Sequence, residues 1–157
     1  MAFEFKEESL KEFNDIITRY PTKRAALLPA LHLAQQDFGY ITTDCIEYIA
    51  GLLDLTPAEV NDTLSFYTMY FREEKGKYVI QVCSTLSCSL LGSQDIVDYL
   101  KNKLGIKPGE TTPDNKFSLL KVECLGSCGT APVMRINNDY YEDLTKEKID
   151  KLLEELP

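Results

Sequence analysis

A single histidine, His32, stands among the 157 residues, and no run approaches the roughly 20 apolar residues that span a bilayer. The first scarcity excludes a Rieske centre, which needs two imidazole ligands. The second predicts no direct membrane insertion. Basic residues are also in short supply, 17 against 25 acidic ones, for a net charge of −8. Non-specific nucleic-acid binding depends on Lys and Arg neutralising phosphates, so no nucleic-acid partner is expected. Anionic lipid is disfavoured for the same reason. The opening residues are acidic and amphipathic, with neither an apolar stretch nor a small-residue cleavage site of a secretory signal, so an intracellular chain is expected. No internal repeat, low-complexity segment or phosphate-binding glycine loop is visible.

The first half has helical periodicity. Phe13, Ile16, Ile17 and Tyr20 form one stripe, interrupted by Pro21. Leu27, Leu31, Ala34 and Phe38 form a second, closed by Gly39, in which Pro29 is expected to kink the helix or begin a new one. Ile46, Ile49, Ala50 and Leu53 form a third. Thr56-Pro57-Ala58-Glu59 has the pattern of a capping box with proline at the first helical position, opening a fourth helix toward Phe66 and Tyr67. Residues 1–72 are therefore expected to form a small helical bundle, because short amphipathic helices must bury their stripes against one another.

After the polar connector 72–77 the pattern changes. Tyr78 to Val82 and Phe117 to Val122 read as strands, and Val97, Leu100 and Leu104 mark a helix ending at Gly105. Val133 to Ile136 and Tyr140-Tyr141 flank the turn signal Asn137-Asn138-Asp139, and Ile149, Leu152, Leu153 and Leu156 line a last helix. The order β-α-β-β-α over residues 73–157 predicts a small open sheet with helices packed on it. The fold class is α+β (α/β).

Five cysteines are present, an odd number that suits neither a secreted disulfide framework nor, lacking C-x-x-C, a thiol–disulfide enzyme. Cys83 and Cys88 form C-x4-C at the end of the first predicted strand, and Cys124 and Cys128 form C-x3-C at the end of the second. Both pairs are expected in strand-to-loop transitions. If the two strands are near neighbours in the sheet, four thiolates can converge, as a [2Fe–2S] or [4Fe–4S] cluster requires. Structural zinc favours C-x2-C knuckles, so a zinc-stabilised interaction domain without redox activity is the poorer fit. Cys45, alone on the third helix, reads as an ordinary buried thiol, and His32 as a packed or partly exposed side chain.

Several blocks together resemble the E subunit of NADH:quinone oxidoreductase (respiratory complex I), a thioredoxin-like [2Fe–2S] family. They are Tyr20-Pro21-x-Lys23-Arg24-x-Ala26-Leu27-Leu28-Pro29, His32-Leu33-Ala34-Gln35, Phe66-Tyr67-Thr68-Met69-Tyr70, Val82-Cys83-x4-Cys88, and Glu123-Cys124-Leu125-Gly126-Ser127-Cys128-Gly129-x-Ala131-Pro132-Val133. The resemblance implies a helical bundle followed by a thioredoxin-like domain with a small mixed sheet. It implies Cys83, Cys88, Cys124 and Cys128 as the metal and cofactor ligands of one [2Fe–2S] cluster. It also implies a hetero-oligomer with a flavin- and NADH-binding subunit that carries FMN and a [4Fe–4S] cluster. This chain would then have no catalytic residue of its own and would sit in the cytoplasm or peripherally on the cytoplasmic face of the membrane. The diaphorase subunits of NAD-linked hydrogenases and formate dehydrogenases are similar, and are the alternative assignment. Tyr67, Met69, Tyr70 and Phe71 are expected either to reach a partner surface or to pack internally. The excess of carboxylates predicts a low reduction potential, since like charge opposes addition of an electron.

Overall fold

The computed structural model describes residues 3–157. The chain divides into two compact units, Met1–Glu74 and Lys75–Pro157. The first contains helices α1 (Glu7–Thr18), α2 (Leu27–Phe38), α3 (Thr43–Leu53) and α4 (Pro57–Phe66), with a 3-10 turn at Lys23–Ala26 leading into α2. Their stripes meet in one core containing Phe13, Leu31, Ile49, Leu53, Val60 and Leu64.

Local chemistry explains the helix ends. The Thr42 hydroxyl accepts the Cys45 N–H to start α3. At α4 the capping box is complete: Thr56 accepts the Glu59 N–H, and Glu59 accepts the Thr56 N–H at 3.0 Å. Pro29 lies in the first turn of α2, where its missing N–H has no intrahelical partner to lose, so it joins the start of the helix. Helix α1 stops at Thr18, short of the expected stripe, and Tyr20 is exposed. Pro21 disfavours helical backbone at the residue before it.

The aromatic run after α4 divides. Tyr70 is buried and donates its hydroxyl to the Leu28 carbonyl at 2.8 Å. Gln35 holds the same segment, donating to the Met69 carbonyl and accepting from the Phe71 N–H. Phe66, Tyr67 and Met69 remain exposed.

The second unit is a four-stranded mixed sheet in the order β2-β1-β3-β4, with β1 Tyr78–Cys83, β2 Phe117–Val122, β3 Met134–Ile136 and β4 Asp139–Tyr141. Strands β1 and β2 are parallel, and Cys83 is in register with Val122. A parallel pair needs a crossover, provided here by α5 (Leu86–Leu90) and α6 (Ser93–Leu104). Strand β3 runs antiparallel to β1, and β4 antiparallel to β3. Helix α7 (Lys146–Glu155) begins at a Thr145 cap. Ile80, Val82, Leu119, Met134, Leu100 and Ile149 form the core of this unit.

The hairpin turn is tied to β1 by one side chain. Asn137 is in the left-handed region, with φ +53°. It accepts the Val79 N–H at 2.9 Å and donates to the Lys77 carbonyl at 3.1 Å.

The C-x4-C segment departs from expectation: α5 carries Cys88 where the sequence reads as loop. Five residues give too short a window for periodicity to register.

Gly76 enters β1 against the backbone of β2. A Cβ there would stand 2.8 Å from the Phe117 carbonyl carbon and 2.9 Å from its nitrogen. Gly76→Ala should cost about 1–3 kcal/mol through forced backbone displacement. Urea denaturation checks this, and an unchanged midpoint would contradict the close approach.

Candidate functional site

Parallel pairing puts the chain ends leaving β1 and β2 side by side, about 4.8 Å apart in the hydrogen-bonding direction. Cys83 is the last residue of β1, and Cys124 follows its register partner Val122 by two positions. The Ser84 N–H continues the ladder to the Val122 carbonyl at 2.9 Å, and its hydroxyl donates to the same oxygen. The two cysteine segments thus leave the sheet from a common edge.

Cys83 and Cys88 are buried with Ala131 and Val133, and Leu125, from inside the C-x3-C segment, packs on them. Cys124 and Cys128 are exposed, and all four thiols are free. The Cys83 N–H donates to the Val133 carbonyl at 3.1 Å, which brings the 131–133 segment against β1.

Burial raises the pKa of the Cys83 thiol. Hydrogen bonds from the Thr85 hydroxyl, the Thr85 and Leu125 N–H groups and the Cys88 thiol outweigh it, leaving Cys83 below its ordinary value. Cys88 is pushed up by burial, by hydrogen bonding to Cys83 and by the nearby charges of Cys83 and Cys128; only the Val133 N–H opposes these. The Gly126 N–H approaches the Cys124 sulfur at 3.3 Å, with Gly126 at φ +83°, a conformation glycine adopts without penalty.

These interactions link the two segments, through Leu125 to Cys83 and through Cys128 to Cys88. Among the described residues, no three His, Cys, Asp or Glu side chains gather tightly enough to hold a single metal ion. The donor set fits an iron–sulfur cluster in its chemistry: four thiols from two segments, with backbone N–H groups aimed at three of the sulfurs. Such N–H contacts tune cluster potentials.

The structure adds named contacts around the cysteines, of which Glu142 alone had no signal in the sequence. Thr85 and Val133 touch the sulfurs, and Glu142, just past β4, accepts a hydrogen bond from Ser127 in the C-x3-C segment. Cys45 stands apart on α3, fully buried, its thiol pushed up to about 12 by burial. His32 is exposed and pairs with Gln36.

With this geometry in view, similarity to known proteins is specific. The chain belongs to the thioredoxin-like [2Fe–2S] ferredoxin family, whose model matches residues 13–157. It is 48% identical over 156 residues to the NADH-quinone oxidoreductase E subunit of Rickettsia felis, covering 98% of this chain and 93% of that one. It is 43% identical over 157 residues to the mitochondrial NADH dehydrogenase (ubiquinone) flavoprotein 2 of Dictyostelium discoideum, covering 98% of this chain and 64% of that one. Among solved structures, an NAD+-reducing [NiFe]-hydrogenase in the H2-reduced state is similar at TM-score 0.73 and 26% identity, over 83% of this chain and 22% of the hydrogenase chain. No helix among the described residues is long and apolar enough to cross a membrane.

The contrast between thiols is measurable. In cluster-free protein at pH 8, iodoacetamide should modify exposed Cys124 and Cys128 first. Cys45 should stay unlabelled until unfolding, because its thiolate is scarce and its sulfur inaccessible. Mass spectrometry after timed quenching reads this; early labelling of Cys45 would refute it.

Proposed function

We propose that this chain is a single-electron-transfer subunit of an NADH-oxidising complex, binding one [2Fe–2S] cluster through Cys83, Cys88, Cys124 and Cys128. The observation that carries the reading is that the two cysteine segments leave neighbouring ends of parallel strands, with Leu125 of the second packed on the buried Cys83 and Cys88 of the first. The cluster, when bound, accepts and returns one electron at a time. The protein's own contribution is positional. Burial of Cys83 and Cys88 keeps water from that side, and the N–H groups of Leu125, Gly126 and Val133 stabilise charge on sulfur.

The proposed partner is a flavin- and NADH-binding subunit holding FMN and a [4Fe–4S] cluster. NADH is a two-electron donor, so oxidising it through one-electron centres needs a flavin between them. The extent of identity to NADH-quinone oxidoreductase subunits, over nearly the whole chain, favours that complex over a hydrogenase or formate dehydrogenase module. The enzyme activity would belong to the assembled complex, peripheral on the cytoplasmic face.

Residues 1–72 would act as an assembly bundle and 73–157 as the cluster domain. Residues 1–74 carry thirteen acidic and six basic side chains, so most of the chain's excess negative charge belongs to the helical unit. The exposed Phe66, Tyr67 and Met69 fit a role at a partner surface.

Iron and acid-labile sulfide analysis joined to EPR tests the cofactor. The purified chain should be reddish-brown, hold about two irons and two sulfides, and give an EPR signal on one-electron reduction. Ser at any of the four cysteines should lower iron content severely, whereas Cys45→Ser should retain it. A colourless, EPR-silent protein holding zinc would overturn the assignment, and NADH oxidation by the chain alone would overturn the division of labour.

A further inference from the structure

Cys124 and Cys128 are exposed, so burial does not hold their loop as it holds Cys83 and Cys88. Besides the packing of Leu125 on the buried pair, the loop is held by polar contacts from residues 142–144, immediately after β4. Ser127 donates its hydroxyl to the Glu142 carboxylate. The Ser127 and Thr130 hydroxyls also lie 2.9 Å apart, and the Thr130 hydroxyl reaches the Ser127 carbonyl. The Ser127 hydrogen bond, with the Thr130 hydroxyl beside it, lowers the Glu142 pKa. The backbone completes the clasp: the Asp143 N–H donates to the Thr130 carbonyl at 2.8 Å, and the Leu144 N–H to the Pro132 carbonyl at 3.1 Å. Leu144 is buried in the core of this unit, which anchors the clasp to the sheet. Glu142 itself is tethered through its carbonyl, which accepts from the Lys148 ammonium on α7 at 3.3 Å.

We propose that Glu142 is a positioning residue for the cluster: its carboxylate, bound by the hydroxyl of Ser127 next to Cys128, holds that cysteine's loop in place and brings a negative charge to it. The inference rests on the reading of the four thiols as cluster ligands. A carboxylate accepting hydroxyl hydrogen bonds is a stronger tether than neutral partners would be. Its fixed charge, carried on a side chain hydrogen-bonded to the residue before Cys128, opposes addition of an electron to a centre held there. The chain's overall acidity bears less on this site, because residues 75–157 carry nearly equal numbers of acidic and basic side chains.

Three variants of the full-length chain separate position from charge. Glu142→Gln keeps an acceptor for Ser127 and removes the charge. Glu142→Ala removes both, and Ser127→Ala removes the tether while leaving the charge. Two readouts are taken: hydrogen exchange of residues 125–130 in cluster-free protein, and the midpoint of the reconstituted protein by EPR-monitored redox titration. Glu142→Ala and Ser127→Ala should speed exchange in that loop about tenfold, the scale of one lost charge-assisted hydrogen bond, with exchange in β1 unchanged. Glu142→Gln should keep most of the loop's protection yet raise the midpoint. A merely structural glutamate would not shift the midpoint in the glutamine variant. Loop exchange within twofold of wild type in Glu142→Ala, or an unmoved midpoint in Glu142→Gln, overturns the proposal. If the wild-type chain takes up no iron and sulfide, the cofactor reading fails, and the exchange arm still decides whether Glu142 holds the loop.

Discussion

Parallel pairing of β1 with β2 is the constraint on which the rest of the second unit depends. Its register puts Cys83 opposite Val122, two residues before Cys124. The cysteines of each pair are close in sequence, but the pairs themselves are separated by 35 residues, which include the crossover helix and β2 itself. Only a sheet in which these strands are neighbours and point the same way can bring both pairs to one edge. An antiparallel arrangement would send them to opposite ends. The right partner strand is selected by burial: β1 is an inner strand, covered on one side by β2 and on the other by β3, and its residues from Val79 to Cys83 are all buried.

The site has two unlike halves, and physics gives them different supports. Cys83 and Cys88 lie in an apolar patch with Ala131 and Val133, where removal from water disfavours thiolate and only directed N–H and hydroxyl donors offset it. Cys124 and Cys128 are exposed, so burial of their own side chains supplies no restraint. Their loop is held by hydrogen bonds from a segment distant in sequence. Leu125 joins the halves, its side chain packing on the buried pair and its N–H directed to Cys83.

Much of the fold is legible from local chemistry. The capping box at Thr56 and Glu59, the stripe Ile46-Ile49-Ala50-Leu53, the helix closed by Gly105 and the hairpin about Asn137-Asn138 all correspond to observed elements. In each, the signal and the structure it specifies lie within one turn or one hairpin. Helix α5 is invisible to periodicity because five residues carry no period, and Tyr20 leaves its stripe because Pro21 restricts the backbone before it. The aromatic run 66–71 is ambiguous for a different reason. Tyr70 is drawn inward by the Leu28 carbonyl and Gln35 grips the backbone on both sides of it, while Phe66, Tyr67 and Met69 stay exposed.

By itself the sequence determined which residues have the chemistry. It supplied two spaced cysteine pairs at strand ends, a lone histidine too few for imidazole ligation, and helix and strand periods that allow only a bundle and a small sheet. These are properties of composition and short-range spacing, and the chain carries them before it folds. Tertiary structure alone decided that β1 and β2 run parallel and adjacent, that one thiol pair is buried and the other exposed, and that Val133 and Glu142 reach the two cysteine segments. Those outcomes depend on contacts between residues far apart in the chain, whose partners are chosen by burial and hydrogen-bond satisfaction across the whole unit.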